Sequence, residues 1–341
     1  MKRYGNLYHK ILDLDNIALA HINARKGKSH YIEVQMVNNN PGFYFRQIHE
    51  MLKNKTFQNS EYDVFVKSDN GKEREIFKLP YFPDRIIHHC ILQVLEPIWV
   101  STLIHDTYSS LKGRGIHMGL RRIKKALCDK PNTEYCLKMD VRKFYPSIDH
   151  DILKKVLRQK IKDNDVLWLL DEIIDSTDGV PIGNYISQHF GNIYLSGLDH
   201  YIKEDLHCKY YFRYCDDMVI LHSDKEHLAH LRIKINAYLK DKLNLQLKSN
   251  WQTFPVNKRG IDFLGYKFYH THILLRKSIA TTLKNKMAHI KLNSCMPKSP
   301  NTLSSVMSYN GWMKHCNCHN LHKKHIDSII LSIVNINSGG C

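Results

Sequence analysis

The sequence predicts a mixed α+β fold, in which short strands alternate with amphipathic helices, and three observations support this prediction. Apolar residues recur at helical spacing in several long segments, for example between Asp84 and Trp99. Stretches rich in Tyr, Phe, Val and Ile flank the adjacent pair Asp216 and Asp217, as in a β-hairpin. The 341 residues are too many for one small core and suffice for two or three packed subdomains.

The first 80 residues are predicted to contain helices followed by a hairpin. Residues 1–60 are helical and basic in character, with a loop at Val37–Gly42, where the chain reads VNNNPG. Two strands, EYDVFV (61–66) and REIFKLP (74–80), follow. An Asn70-Gly71 step between them is a strong signal for a tight turn. A helix from Asp84 to about Trp99 comes next, because Asp84 stands at a favourable cap position.

The remaining elements follow from the same two periodicities, 3.6 residues for helices and two for strands. In order they are a strand at Tyr135–Val141, helices over 151–161 and 165–174, a long helix over 184–206, a hairpin over 210–221, a helix over 225–243, a strand pair formed by 245–254 and 261–268, and helices within 278–337.

Basic residues dominate the charge of the chain. Lys and Arg number 50 and Asp and Glu 33, which leaves a formal net charge of +17 and a pI near 9.3. From Phe254 to Cys341 there are twelve Lys or Arg residues and two Asp residues. A merely solvated face would carry charges of both signs, so this excess indicates a polyanionic partner such as a phosphate backbone.

Neither a signal peptide nor a run of about 20 apolar residues is recognisable, so we expect a cytoplasmic protein that does not enter a membrane. Nine cysteines are scattered singly without a CxxC pair. Cys90 and Cys136 have apolar neighbours and are expected to be reduced core residues. His315–His319, together with His322 and His325, has the ligand types of zinc but no recognisable zinc spacing, so a basic helix surface is the preferred interpretation.

The adjacent carboxylates of Asp216 and Asp217 suggest a metal site. Two ionised carboxylates destabilise each other unless a cation lies between them, and a cluster of oxygen ligands suits Mg²⁺. A pair of aspartates in a turn is more often a solvated turn, so a third carboxylate is needed. Asp140, at the end of the predicted strand 135–141, can supply it. Three such carboxylates can hold two Mg²⁺ ions about 3.5–4 Å apart and support in-line phosphoryl transfer.

Four ordered motifs give the chain a family resemblance. They are LKMDVRKFYPSID (137–149), PIGNYISQ (181–188), YCDD (214–217) and GIDFLGY (260–266). Together they resemble the catalytic motifs and the primer-grip hairpin of reverse transcriptases, over residues 1 to about 325. The resemblance implies a right-hand polymerase with fingers at 1–134, an antiparallel palm sheet within 135–277, and a helical thumb and tail at 278–341.

The form IGNYISQ, which replaces the more usual QGxxxSP, resembles reverse transcriptases of diversity-generating retroelements, a group II intron-like bacterial class. Segments 259–265, 272–277 and 311–315 resemble that class as well. This implies an error-prone RNA-directed DNA polymerase, bacterial or phage-encoded, that acts in mutagenic retrohoming with a small helical accessory protein. Phage-defence reverse transcriptases, which work on an associated noncoding RNA, are the alternative. No nuclease or RNase H module is recognisable after the predicted thumb.

The resemblance also implies roles for individual residues. Asp140, Asp216 and Asp217 are the expected catalytic residues, and with Val141 they are the expected ligands of two Mg²⁺ ions, for which Mn²⁺ is a possible substitute. Tyr145 is expected to exclude the 2′-hydroxyl of a ribonucleotide by steric clash. Lys248 is considered as a proton donor to pyrophosphate. The other expected nucleotide-binding residues are Arg74, Lys78, Arg85, Ile182, Gly183 and Gln188.

Contacts with template RNA and with the RNA/cDNA duplex are expected from Lys112, Arg114, Arg276, Lys277 and Lys314, while dNTPs are the expected substrates. A noncatalytic, maturase-like RNA-binding factor is an alternative of a different class. It would need neither the three aspartates nor Tyr145, and this argues against it.

Overall fold

The structure, a computed structural model, is described for residues 2–69, 72–292 and 300–327. In chain order its helices are α1 (Tyr8–Ile11), α2 (Leu14–Ala24), α3 (Ile32–Asn39), α4 (Pro41–Lys53), α5 (Ile86–Val100), α6 (Ile116–Ala126), α7 (His150–Arg158), α8 (Asn164–Ile174), α9 (Ser187–Tyr194), α10 (Ser196–His200), α11 (Lys225–Leu243), α12 (Val256–Arg259), α13 (Lys277–Leu292), α14 (Pro300–Met313) and α15 (His319–His322). Its strands are β1 (Asp63–Asp69), β2 (Lys72–Lys78), β3 (Tyr135–Asp140), β4 (Tyr210–Tyr214), β5 (Asp217–His222), β6 (Gln252–Pro255), β7 (Ile261–Phe263), β8 (Tyr266–Phe268) and β9 (Ile273–Leu275). This mixture confirms the predicted α+β class.

Three sheets organise these strands. An antiparallel hairpin pairs β1 with β2, from Asp63 opposite Lys78 to Asp69 opposite Lys72. A four-stranded sheet has the order β4-β5-β3-β6, and a three-stranded sheet has the order β7-β8-β9. The predicted turn at Asn70-Gly71 lies outside the described residues, as do the parts of the predicted C-terminal helices at 293–299 and beyond 327.

Contacts within the chain divide it into two compact units. The first unit comprises Met1–Arg114, Met139–Met218 and His230–Trp251. Its core is organised around α5, which buries Ile87, Ile91, Leu95 and Trp99 together with its polar residue His88. A helix that is buried on nearly all sides needs apolar residues around most of its circumference, and this explains the long apolar run that predicted it.

The second unit comprises Gly115–Lys138, Val219–Ala229 and Gln252–Cys341. In its core the ring of Tyr266 lies 5.3 Å from the ring of Trp312, and the Tyr266 hydroxyl donates to the Trp312 carbonyl at 2.9 Å. Gly265 has φ +82°, and a Cβ there would lie 2.5 Å from the Trp312 ring. The tight turn between β7 and β8 therefore requires glycine.

The predicted loop at Val37–Gly42 is wrong. Helix α3 continues to Asn39, and α4 begins at Pro41, so Asn40 alone separates them. The Asn40 side chain accepts a hydrogen bond from Phe43 N, and Pro41 occupies the first helical position. The polar residues thus cap a helix, a role that Asn and Pro fill as readily as they fill a loop.

The single long helix predicted for 184–206 is also wrong. Residues 184–186 precede the helix, which is then divided into α9, α10 and a π turn at Tyr201–Asp205. At the first break the Ser196 hydroxyl donates to the Ile193 carbonyl at 2.7 Å. A hydroxyl that competes for a backbone carbonyl favours such an interruption, while tertiary burial keeps the pieces in place.

Strand pairing near residue 250 differs from the prediction as well. Segment 252–255 pairs with β3, from Tyr135 opposite Pro255 to Lys138 opposite Gln252. Strand β7 pairs instead with β8, and β8 with β9. Pairing partners depend on the path of the chain between strands, and strand-forming residues alone do not specify it. Among the described helices, none has the length and apolar character needed to cross a bilayer.

Candidate active site

A two-residue turn, Cys215 and Asp216, joins β4 to β5. Cys215 has φ +52°, and a positive φ at the first central residue is the pattern of a type II′ turn, where glycine is usual. The Cys215 Sγ atom lies 2.8 Å from Ser109 Oγ. The surroundings therefore hold the turn in a conformation that a side chain adopts at a cost of about 1–3 kcal/mol.

The turn places Asp216 against Asp140, the last residue of β3. Their side chains share a hydrogen bond, and the pKa of Asp216 is raised to about 7, first by burial, then by the charge of Asp140 and by this bond. Two carboxyl groups in contact cannot both ionise without a compensating cation. The predicted proximity of Asp140 and Asp216 is thus present in the fold.

The Lys248 ammonium forms an ion pair with Asp140. Its backbone N also donates to the Asp140 carbonyl at 2.8 Å, and Leu247 lies opposite Val141 in an antiparallel bridge. The charge of Lys248 lowers the pKa of Asp216, opposing burial and Asp140. A cation therefore already lies beside the two carboxyl groups.

Asp217 and Val141 complete the predicted ligand set. Asp217 is the first residue of β5, and its Oδ1 atom is buried. Val141 is buried. Both of its neighbours form backbone hydrogen bonds with segment 246–248: Asp140 O accepts from Lys248 N, and Arg142 N donates to Gln246 O. Carboxylate oxygens held together by burial and balanced by a cation fit the preferences of Mg²⁺. In the part of the chain that the structure describes, however, no three Asp, Glu, His or Cys side chains form a metal-binding group.

Arg213, on β4, is a residue that the sequence analysis missed. It is fully buried, and its Nη1 donates to the Cys215 carbonyl at 2.9 Å, while Nη2 and Nε contact the carboxylate of Asp199. Burial lowers its pKa, but Asp199 more than compensates and the pKa is raised. A charged residue within the apolar strand YYFRY was the available signal, because buried arginine is almost always paired.

Tyr145 lies in the first unit beside the turn. Its hydroxyl is 3.9 Å from Cys215 Sγ, and its ring centroid is 5.1 Å from that of Phe144. A Cβ on Gly191 would lie 3.1 Å from the Tyr145 ring, so glycine provides the room for this ring. Burial raises the pKa of Tyr145, and Cys215 raises it further. The tyrosine is therefore a neutral, packed ring next to the carboxylates.

The PIGNYISQ segment contacts strand β2. Phe77 N donates to the Ile182 carbonyl at 2.8 Å. Gly183 has φ +128°, and a Cβ there would lie 2.5 Å from the Phe77 carbonyl oxygen, so only glycine permits this approach. Gln188, exposed at the start of α9, accepts a hydrogen bond from Ser110.

The predicted cations of the first unit differ in their surroundings. Arg74 and Lys78 are exposed on β2, and Lys78 Nζ lies 4.0 Å from Asp63. Arg85 is half-buried, burial lowers its pKa, and its Nε has no hydrogen-bond partner among the described residues. Lys112 is exposed. Arg114 instead donates to the carbonyls of Ile104 and Val100, where it contributes to the end of α5.

The predicted cations of the second unit lie at two places, Arg276 and Lys277 at the start of α13 and Lys314 after α14. Arg276 Nε donates to Asp262 at 2.6 Å. Lys277 begins α13, and the exposed Lys314 follows α14. In the neighbouring segment the thiols of Cys316 and Cys318 lie 3.4 Å apart, and both contact the Met313 carbonyl.

Comparison with known proteins gives a family match. A family model described as "Reverse transcriptase (RNA-dependent DNA polymerase)" matches residues 46–268. Protein YkfC of Escherichia coli (strain K12) is 25% identical in an alignment of 249 residues that covers 60% of this chain and 65% of YkfC. Group II intron-encoded protein LtrA of Lactococcus lactis subsp. cremoris is 22% identical in an alignment of 209 residues that covers 56% of this chain and 34% of LtrA. The chain thus spans less than two thirds of the length of these relatives.

Among solved structures, apo telomerase from Candida Tropicalis is similar with a TM-score of 0.51 and 12% identity, over 67% of this chain and 52% of that chain. At this identity the likeness concerns the fold, and it confirms the right-hand polymerase fold expected from the sequence motifs.

Proposed function

Because this chain belongs to the reverse transcriptase (RNA-dependent DNA polymerase) family, we propose that it copies RNA into cDNA by two-metal phosphoryl transfer. The contact between Asp140 and Asp216 carries the proposal. The strand β3 and the turn after β4 are far apart in the sequence, and the fold nevertheless joins their two carboxyl groups. Carboxyl groups that are buried beside each other raise each other's pKa, and such pairs concentrate at functional sites.

Asp140 and Asp216 would hold Mg²⁺, with Asp217 and the Val141 carbonyl as further oxygen ligands and Mn²⁺ as a substitute ion. When bound, the ions supply charge neutralisation and activation of the attacking hydroxyl. Lys248 forms an ion pair with Asp140, and beside a bound ion its ammonium would face the departing pyrophosphate.

Nucleotide selection is assigned to Tyr145 and to the β2 region. A ring packed beside the turn can exclude a 2′-hydroxyl by contact. Arg74 and Lys78, exposed on β2, and Arg85, whose buried Nε has no partner among the residues that the structure describes, would bind the triphosphate or the template backbone. Gly183 brings the Ile182 loop onto β2, so Ile182 and Gln188 would lie near the same nucleotide.

Template RNA and the RNA/cDNA duplex are the proposed nucleic-acid partners, and dNTPs the substrates. Lys112, Arg276, Lys277 and Lys314 would contact their phosphates. For Arg114 this role has less support, because its guanidinium is bound to two backbone carbonyls.

The double variant Asp216→Asn/Asp217→Asn tests the activity. We expect it to lose dNTP incorporation on a primed RNA template with Mg²⁺ while it still binds that RNA, because only the oxygen ligands change. Asp241→Asn, an exposed carboxylate on α11, is the matched control and keeps incorporation. Unchanged incorporation in the double variant would refute the assigned site. RNA binding by a wild-type protein that lacks incorporation on every template would favour a noncatalytic assembly factor.

For the biological role, the proposal is the error-prone enzyme of a diversity-generating retroelement, cytoplasmic in a bacterium or phage host and assisted by a small helical protein. Support comes from IGNYISQ, where an apolar Ile182 beside the templating base would loosen the geometric check on the new pair. The test is to supply RNA encoded beside the gene and to sequence the cDNA. Errors concentrated opposite adenine in the wild type, and reduced in Ile182→Gln, are expected. Faithful or untemplated product would favour the phage-defence role.

A further inference from the structure

The second unit contains a cavity of about 440 Å³ that no proposed catalytic step uses. Its walls come from α6, from the turn between β8 and β9, and from the segment after α14. Cavities that bind small ligands have volumes of about 300–1,000 Å³, so this one is large enough for a nucleotide.

Every charged side chain that lines the cavity is basic. The cations are Arg121, Lys124 and Lys314, and no Asp or Glu is among the lining residues. The pKa of His315, another lining residue, is lowered by burial, and then by His117, Arg121 and Lys314. Positive charges that crowd one concave surface repel each other, and a bound anion relieves this repulsion.

An aromatic pair forms another wall of the cavity. The rings of Tyr269 and His272 are stacked, with centroids 4.5 Å apart and an angle of 14° between planes. Gly260 fits closely against the Tyr269 ring, because a Cβ on it would lie 2.6 Å away. The ring is therefore held in place, as a platform for base stacking requires.

Backbone contacts fix the remaining wall. Ile273 N donates to Asn317 Oδ1 at 2.9 Å, and Asn317 N donates to the Ile273 carbonyl at 2.7 Å. These two bonds join β9 to the segment that carries Lys314 and His315. Leu120, Leu127 and Ile273 are buried beneath the polar groups. The cavity is thus a preformed site with an apolar floor and a basic rim.

We propose that this cavity binds one nucleotide of a single-stranded nucleic acid, with its phosphate at Arg121, Lys124 and Lys314 and its base on the Tyr269–His272 pair. An acidic peptide would satisfy the cations but would leave the stacked rings without a role. The inference extends the proposed function, since RNA is the proposed template, and assigns Arg121, Lys124 and Tyr269 a role that the catalytic motifs do not contain.

Charge-matched variants of the 341-residue chain test the cations. Arg121→Gln/Lys124→Gln changes the cavity, while Lys125→Gln/Lys130→Gln removes two exposed cations that do not line it. The probe is a fluorescein-labelled uridine RNA of about 12 nucleotides, followed by anisotropy over a range of KCl concentrations. Because each neutralised phosphate contributes about 0.7 to the salt slope for single strands, and one phosphate lies at these cations, the cavity variant should lower that slope by up to about 0.7 and the affinity by about tenfold. The control should change the affinity less than about twofold.

Tyr269 supplies an independent measurement. Tyr269→Ala should weaken binding by about tenfold with an unchanged salt slope, because stacking is not ionic, and Tyr269→Phe should retain wild-type affinity. Thermal unfolding of each variant identifies those that fail to fold. Thymidine DNA of the same length distinguishes RNA from DNA as the ligand. If the variants lose affinity for RNA alone, the cavity binds RNA, and if they lose affinity for both equally, it binds single strands of both kinds.

If both double variants weakened RNA binding equally, the proposal would be overturned in favour of a diffuse basic face. Wild-type RNA affinity in the cavity variant would also overturn it. Primer extension by the wild-type protein is measured separately. If extension is absent but the difference between the double variants persists, the polymerase proposal fails and the cavity proposal stands. If extension occurs but the two double variants do not differ, the cavity proposal alone fails.

Discussion

Arg213 and Asp199 form a fully buried ion pair in the first unit, with Arg213 Nη2 2.6 Å from Asp199 Oδ2 and Nε 2.8 Å from Oδ1. Tyr211 donates to the same carboxylate at 2.7 Å. Because Arg213 also donates to the carbonyl of Cys215, the pair connects α10 to the turn that carries Asp216. A backbone carbonyl of this turn is therefore held by a charge that cannot move without leaving the charge of Asp199 uncompensated.

Removing one member of this pair should destabilise the protein strongly. We expect Arg213→Gln to lower the free energy of unfolding by about 3–5 kcal/mol, because it leaves the Asp199 carboxylate buried and uncompensated. Arg158→Gln breaks the partly exposed pair with Asp171 and should cost less than about 1 kcal/mol. Urea unfolding of both variants measures the difference, and similar values for the two would contradict this assignment.

Mg²⁺ should stabilise the folded protein through Asp140 and Asp216. At a tenfold excess over Kd the gain is about 1.4 kcal/mol, which corresponds to a rise in Tm of about 2 °C. Asp216→Asn should abolish this rise, and without Mg²⁺ it should be at least as stable as the wild type, because a like charge is removed. Thermal unfolding with and without MgCl₂ measures both effects. Asp241→Asn, the exposed control, should respond as the wild type does, and a persistent rise in Asp216→Asn would place the ion elsewhere.

Tyr145 should control the choice of sugar. Tyr145→Ala removes the ring beside Cys215, so incorporation of ribonucleotides relative to deoxyribonucleotides should increase by about tenfold or more. Tyr145→Phe keeps the ring and should keep the selectivity. Single-nucleotide extension with rNTP and dNTP gives the two kcat/KM values. An unchanged ratio in the alanine variant would show that the ring serves packing alone.

Asp163 should contribute stability that depends on pH. It accepts hydrogen bonds from Leu7 N at 2.6 Å and Tyr8 N at 3.1 Å, and it also caps α8 through Asp165 N and Val166 N. Burial raises its pKa, but these donors outweigh burial, and the pKa lies below its ordinary value. A carboxyl group with a lowered pKa stabilises the fold above its unfolded pKa of about 3.9, and this contribution is lost as the pH falls through the folded pKa.

Asp163→Ala should therefore cost about 1–2 kcal/mol at neutral pH, and the difference from the wild type should shrink in acid. Asp163→Asn retains a capping oxygen and should cost less. Urea unfolding at several pH values supplies the comparison. A cost for Asp163→Ala that stays constant down to acidic pH would mean that the carboxylate charge is not involved.

Local chemistry made part of this structure predictable. The helix at Lys225–Leu243 and the strand at Tyr135–Asp140 agree with the expected spans, because a periodic pattern of apolar residues is a property of the segment itself. The proximity of Asp140 and Asp216 could be predicted from the sequence, because both residues belong to specific motifs. The break at Ser196 was missed, because a buried hydroxyl and its carbonyl partner outweigh the apolar pattern around them.

The sequence by itself determined the α+β class, the reverse transcriptase family and the aspartates of the candidate site, since all three depend on residue types in order along the chain. Only the tertiary structure decided that Lys248 forms an ion pair with Asp140, that Arg213, paired with Asp199, donates to the Cys215 carbonyl, and that β6 pairs with β3. Such contacts depend on the path of the chain through the core, and the energy of each one depends on burial. Neither can be inferred from the residues of one segment alone.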